Sequence, residues 1–207
     1  CVNNTENNQN LSLHFAASLH FPPIKEYTVD SQIYPGVVSL PEGVKWNRAI
    51  DYDDLRFAKP RPQDNLVYDG KMRGEIRAHG FVTGSAIGVN FGLDKGDFVS
   101  YKIAIDKPFE NAVLFIRYKM EADKEISFNA SGLINKEISL KGKDGFNTEV
   151  VEIGKLKEGK YDLELTSNGG SAIELDGFVI CEASQVGQIQ FSQKKWNYTK
   201  HHPCKTT

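Results

Sequence analysis

The chain has 207 residues, of which 40% are hydrophobic and 25% are charged, and its formal net charge is −2. This length and composition are those of a soluble globular protein that can bury a core without disulfide staples. No cluster of lysine and arginine is present, which excludes a nucleic-acid-binding surface. The longest apolar runs, such as residues 112–116, fall far short of the roughly 20 residues that span a membrane.

The start of the chain is polar and begins with Cys1, followed by the stretch VNNTENNQN. A stretch with so few apolar residues does not fold by itself, so residues 1–20 are predicted to be a polar tether. A chain that begins at a cysteine is typical of a processed bacterial lipoprotein. This predicts a lipid anchor at Cys1 and a secreted or cell-surface location. The alternative is that the sequence begins at a cysteine by chance.

Six of the eight prolines fall between residues 22 and 62. Proline fixes φ and removes a ladder donor, so long regular elements are not expected there. Residues 21–68 are therefore predicted to form an irregular N-terminal extension. Within it, residues 36–40 are a candidate strand and residues 46–57 a candidate helical turn or two.

From residue 69 to residue 184, short runs of alternating apolar and polar residues are separated by turn residues. No amphipathic helix intervenes, and this rhythm favours an all-β fold, an antiparallel β-sandwich of the jelly-roll type. The predicted strands are residues 98–105, 112–118, 125–130, 137–140, 148–153, 161–166 and 172–181. Residues 185–207 are assigned to a C-terminal tail with a candidate strand at 187–191.

The predicted core consists of apolar residues on the inner faces of these strands: Phe115, Ile116, Leu163, Leu165, Leu175 and Val179. The three cysteines show no metal-ligand spacing, and three are too few for a disulfide framework. Cys181 follows an apolar stretch and is expected in the core as a small hydrophobic residue.

Five motifs in order resemble those of carbohydrate-binding modules of families 6 and 35. They are GDFVSY at 96–101, the strand 112–118 ending in IRY, KDGF at 143–146, LKEGKYDL at 156–163 and IELDGF at 173–178. The resemblance covers about half of the chain. It implies a galactose-binding-like sandwich, which is consistent with the strand pattern.

The resemblance also implies a structural calcium, held between an acid of the first strand and the aspartate of the last. The matching positions are Glu75 and Asp176. Arg77 stands where the family often has a second acid. Because a bare buried carboxylate is costly, Asp176 is expected to bind either calcium or an arginine such as Arg77.

The family's sugar cleft uses two aromatic rings and an asparagine at one end of the sandwich. The matching positions are Phe91 and Phe146, with Glu174 in the place of the asparagine and Asn168 on the adjacent loop. The alternative is that Phe91 and Phe146 cap the core.

No catalytic motif is found, and Asp51, Asp53 and Asp54 form a charge cluster of the kind usually seen on a solvated surface. The sequence therefore predicts a non-catalytic domain, either a monomer or part of a longer chain, that binds an oligosaccharide or polysaccharide. Two alternatives stay open. One is a non-binding spacer of a polysaccharide-degrading lipoprotein, and the other is a glycoside hydrolase in its own right.

Overall fold

The computed structural model of the chain describes residues 36–61, 75–77 and 79–193, with residues 75–77 described by their backbone. The predicted tether, the lipid anchor at Cys1 and the side chain of Glu75 lie outside the described residues. In chain order the described strands are β1 (Gly36–Ser39), β2 (Asn47–Arg48), β3 (Asp54–Arg56), β4 (Glu75–Arg77), β5 (Ser85–Ile87), β6 (Phe98–Ile105), β7 (Phe109–Lys119), β8 (Glu125–Gly132), β9 (Lys136–Lys141), β10 (Phe146–Leu156), β11 (Gly159–Ser167), β12 (Glu174–Glu182) and β13 (Gln190–Gln193).

These strands form two antiparallel sheets and a two-stranded ribbon. The six-stranded sheet has the order β10-β7-β12-β5-β4, with β2 also paired to β12. The five-stranded sheet has the order β3-β6-β11-β8-β9, and β1 pairs with β13 in the ribbon. The predicted fold class, an antiparallel β-sandwich, is confirmed.

The alternation of apolar and polar side chains explains where most of the strands form. In β6, Val99, Tyr101, Ile103 and Ile105 point into the core, and the residues between them are more exposed. Strand β7 differs, because residues 112–118 are all buried. A strand covered on both faces is expected to be apolar without interruption, as this one nearly is.

Two hydrophobic clusters account for this pattern. The larger lies between the sheets and includes Leu163, Leu165, Leu175 and Ile116. The smaller lies on the outer face of the six-stranded sheet and consists of Val113, Phe115, Val179 and Cys181, with Trp46 and Phe191 among the side chains that pack over it. All six predicted core residues are buried, but Phe115 and Val179 belong to the outer cluster.

Residues 36–61 contribute directly to the sandwich. Strand β2 pairs with β12 and β3 pairs with β6, and a 3₁₀ turn at Ala49–Asp51 lies between them. The buried hydroxyl of Tyr101 donates to the Ala49 carbonyl at 2.9 Å. We use the name strap for residues 40–61, which cross the six-stranded sheet and reach the edge of the other. In the described part of the chain, no helix has the length and apolar character needed to cross a membrane.

Candidate ligand-binding site

Asp176 lies in a fully buried ion pair. Its carboxylate is 0% exposed, and Oδ2 accepts a hydrogen bond from Nη1 of Arg117. The backbone N–H of Val82 donates to Oδ1 at 2.9 Å, and Nη1 of Arg117 also donates to the Gly80 carbonyl at 3.1 Å. Both carboxylate oxygens are thus satisfied within the chain.

The guanidinium of Arg117 is enclosed by aromatic rings. It lies 3.7 Å from the ring centroid of Phe146 and 4.3 Å from that of Phe191. Burial raises the pKa of Asp176 to about 6, against the opposing effects of Arg117 and the Val82 N–H. Burial likewise lowers the pKa of Arg117, against the attraction of Asp176.

The described residues around Asp176 do not fit calcium. Calcium takes six to eight oxygen ligands, whereas this carboxylate faces a guanidinium and a backbone N–H. Among the residues that the structure describes, no group of three acidic, histidine or cysteine side chains converges on one point. The arginine that neutralises Asp176 is Arg117, while the side chain of Arg77 lies outside the described part.

Phe91 and Phe146, the predicted sugar platforms, do not meet at a cleft. Phe91 is 0% exposed, stacks on Phe128 and meets Phe57 edge to face, so its ring has no face open to a ligand. Phe146 is half-buried, with Arg117 over its ring and Phe81 at its edge. The placement of Phe91 corrects its assignment as a platform, since the ring is part of the core.

The Asn168 side chain is hydrogen-bonded to residues of the five-stranded sheet. Its amide nitrogen donates to Ser127 Oγ at 2.9 Å and to Glu137 Oε1 at 3.2 Å, and its oxygen accepts from Asn129 at 2.8 Å. These three partners lie on β8 and β9. The side chain is therefore committed to a polar network there rather than to Glu174.

Glu174 lies in an open concavity of about 480 Å³ where β5 and β7 end and β12 begins. We call it the end cleft; its lining includes Val89, Asn90, Lys119, Glu121, Ser171 and Glu174. The Glu174 side chain is 40% exposed, but its Oε2 atom is shielded and accepts no hydrogen bond from the residues that the structure describes. Lys119 Nζ lies 4.0 Å from Oε2, which is too long for a hydrogen bond.

The loop beside Glu174 has an unusual backbone. Val89 and Asn90 have φ values of +56° and +60°. Asparagine tolerates this region, but a β-branched residue rarely adopts it, and such strain persists only where neighbouring structure enforces it. Arg61 Nη2 donates to the Asn90 carbonyl at 3.3 Å and to the buried Asp97 at 2.9 Å, which ties this loop to the strap.

The sequence interpretation missed Arg117, Lys119 and Asn90. Arg117 carried a usable signal, because a charged residue inside an apolar strand needs a buried partner, and Asp176 is another such residue. Lys119 and Asn90 carried none. Their place at the end cleft follows from the pairing of β7 with β12 and from the path of the loop after β5.

The acidic cluster of the strap has local partners. Asp51 pairs with Arg48 at 2.6 Å, and Asp54 pairs with Arg56 at 2.9 Å. Asp53 accepts the backbone N–H of Lys102 at 2.6 Å. Each of the three residues is exposed and each carboxylate has a different partner, as is usual for acidic residues on a solvated surface.

Comparison with known proteins returns no matching family model and no matching curated protein. Among solved structures, the chain is similar to a family 35 carbohydrate-binding module from Clostridium thermocellum, with 12% identity, a TM-score of 0.44, and coverage of 72% of this chain and 98% of that chain. It is also similar to the C-terminal family 6 module of a marine laminarinase from Zobellia galactanivorans, with 13% identity, a TM-score of 0.43, and coverage of 67% and 99%.

Similarity extends to part of a larger enzyme, the cycloisomaltooligosaccharide glucanotransferase of Paenibacillus sp., complexed with cycloisomaltoheptaose. The identity is 15%, the TM-score is 0.47, and the match covers 65% of this chain. The chain spans 18% of the length of that enzyme. Modules of families 35 and 6, named from the sequence motifs, are thus found again among the similar structures.

Proposed function

We propose that the chain is a non-catalytic module that binds uncharged oligosaccharides, or the ends of polysaccharide chains, in the end cleft. The observation that carries this proposal is Glu174, whose side chain is 40% exposed in an open concavity and whose Oε2 atom accepts no hydrogen bond from the described residues. The exposed part of this carboxylate can accept a hydrogen bond from a sugar hydroxyl, and a hydrogen bond to a charged acceptor is among the stronger ones.

The polar groups of the cleft favour an uncharged ligand. Lys119 carries one positive charge against the negative charges of Glu121 and Glu174. A uronic acid would bring a further carboxylate to this net negative surface. None of the described residues lining the cleft is aromatic, so we propose recognition by hydrogen bonds rather than by stacking.

The strained loop supports the same site. Left-handed conformations at Val89 and Asn90 bring these residues to the lining of the cleft, and strain of this kind clusters at ligand clamps. The five motifs that resemble carbohydrate-binding modules are consistent with this function. A secreted or surface location, with attachment through Cys1, stays a prediction from the sequence.

The test is a screen of immobilised neutral and uronate-containing glycans, followed by calorimetric titration of the best ligand against Glu174→Gln. We expect Glu174→Gln to weaken binding about tenfold or more, because a hydrogen bond to a charged acceptor contributes about 1.5–3 kcal/mol. The melting temperature of the variant should stay that of the wild type. Glu158→Gln, an exposed change in the turn between β10 and β11, is the matched control.

The screen also tests the spacer alternative, which the burial of Phe91 and the coverage of Phe146 favour. If the wild-type protein binds no glycan at millimolar concentration, the spacer function replaces the binding function. Equal affinity of Glu174→Gln and the wild type for a genuine ligand would place recognition outside the end cleft.

A further inference from the structure

We propose that the Asp176 pocket is a cation site whose cation is part of the chain: Arg117 supplies the positive charge, and the sandwich needs no divalent metal there. This inference goes beyond the proposed function and does not depend on it. It concerns the one place where the resemblance to families 6 and 35 implied a bound ion.

The composition of the pocket suits a guanidinium and does not suit a metal. Described oxygen atoms next to Arg117 are the Asp176 carboxylate and the Gly80 carbonyl. The remaining walls include the rings of Phe146 and Phe191, which stack well on a planar guanidinium. Ring faces are not calcium ligands, so the described groups of the pocket supply fewer than the six to eight oxygens that calcium requires.

Charge balance leads to the same conclusion. Asp176 is 0% exposed and the Arg117 side chain is 6% exposed, so one negative and one positive charge cancel in the interior. Adding a divalent ion would leave two buried positive charges uncompensated by the described groups, which the low dielectric makes expensive. A metal could enter only if Arg117 left.

Arg117 also connects segments that are far apart in sequence. Through Gly80 and Asp176 it joins the segment before β5 to β7 and β12, and its two ring contacts add the starts of β10 and β13. Holding several segments together is the contribution expected of a structural ion. Here a side chain makes the same connections with no need for metal in the medium.

The first experiment compares thermal unfolding of the full chain in excess chelator and in millimolar calcium, for the wild type and for Asp176→Asn. We expect no calcium-dependent change in the melting temperature that requires Asp176. A calcium-dependent rise in the wild type that disappears in Asp176→Asn would overturn the proposal. A rise that is equal in both proteins would place the metal elsewhere and would support it.

The second experiment removes the charge of Arg117. We expect Arg117→Met to lower the melting temperature by about 10 °C, because it leaves a buried carboxylate without its countercharge and with only the Val82 N–H as a described partner. The double variant Arg117→Met/Asp176→Asn should recover part of that loss, since no lone charge remains. Wild-type melting of Arg117→Met would contradict the proposal. If Arg117→Met does not fold, recovery of folding by the double variant supports it, and failure of the double variant as well contradicts it.

Discussion

Asp94 shows how single charged residues hold the loop that borders the end cleft. Its carboxylate pairs with Lys59 at 2.7 Å and with Arg61, whose side chain is nearly buried. Hydrogen bonds from Lys59, and then from Arg61, lower the pKa of Asp94, with burial opposing them. The same Arg61 reaches Asp97, so this corner carries two carboxylates on one guanidinium.

The lowered pKa of Asp94 predicts a loss of stability in acid. A carboxyl group whose pKa is lower in the folded state stabilises the fold above its unfolded pKa, at about pH 4, and loses that contribution as pH falls through the folded value. We expect Asp94→Asn to melt a few degrees below the wild type at pH 6, and this difference to shrink progressively as the pH falls below about 4. Melting curves recorded at intervals from pH 2.5 to pH 7 would measure it.

The control for this measurement is Asp144→Asn, in the exposed turn before β10, which should follow the wild type at every pH. A constant difference between Asp94→Asn and the wild type across the whole pH range would show that the carboxylate charge contributes nothing.

At the residue scale, the sequence predicted which side chains are buried better than it predicted which side chains contact each other. Alternation identified the core residues and Cys181, which is fully buried. It did not identify the partner of Asp176, because that depends on how β7 and β12 align across a bulge between Leu175 and Gly177. Phe91 was misassigned for a similar reason: its burial comes from Phe128 and Phe57, which only the folded chain brings to it.

At the element scale, the outer face of the six-stranded sheet is covered rather than exposed. The strap crosses β12, and its Trp46 packs edge to face on Phe191, whose ring stacks on Phe115. Close approach is possible because β12 has Gly177 at the crossing. A Cβ atom there would lie 2.4 Å from the Asn47 carbonyl oxygen and 2.6 Å from the Trp46 ring.

Gly177→Ala is therefore expected to push the strap away from β12. In a Trp196→Phe background, which leaves Trp46 as the sole tryptophan, we expect a destabilisation of about 1–3 kcal/mol, as for overpacking in a close-packed interior, and a red shift of the Trp46 emission. Denaturant unfolding followed by tryptophan fluorescence measures both. Gly187→Ala, where an added Cβ meets no atom within 4 Å, is the matched control. Unchanged stability and emission in Gly177→Ala would mean that the strap has another way to accommodate the methyl group.

The long strands were predictable as elements, and the short ones were not. Strand β6 coincides with its predicted run, and β7 to β12 overlap theirs with bounds that differ by up to three residues, because each is long enough for alternation to show. Strands β2 to β5 have two or three residues each, too few for a period to be seen. They are fixed by pairing with distant strands, and that information is tertiary.

At the scale of the whole molecule, the described sandwich includes more of the chain than the module predicted at residues 69–184. Ala49, Tyr52 and Leu55 from the strap lie in the main core, and Phe191 covers the outer cluster. Alternation identified the long strands of the two sheets. The contribution of the proline-rich segment was not visible, since proline-rich sequence and edge strands share a composition.

A comparison of two fragments tests how much of the chain the sandwich requires. Residues 36–193 should unfold cooperatively, whereas residues 69–184 should show no cooperative transition, because they lack three core residues and leave the buried Tyr101 hydroxyl without its acceptor. Calorimetry of both fragments would measure it. A sharp transition of the shorter fragment near the temperature of the longer one would restore the boundary at residue 69.

The ribbon of β1 and β13 has a mechanical consequence. Gly36 is paired with Gln193 in antiparallel register, so the incoming and outgoing chains leave the ribbon at the same end. Tension transmitted through both flanking segments would load its hydrogen bonds one pair at a time, as in opening a zipper, and would not shear the sheets against each other. Stretching would therefore first separate β1 from β13 and break the hydrogen bonds that join Gly36 to Phe81 and Thr83, before it loaded the two sheets of the sandwich.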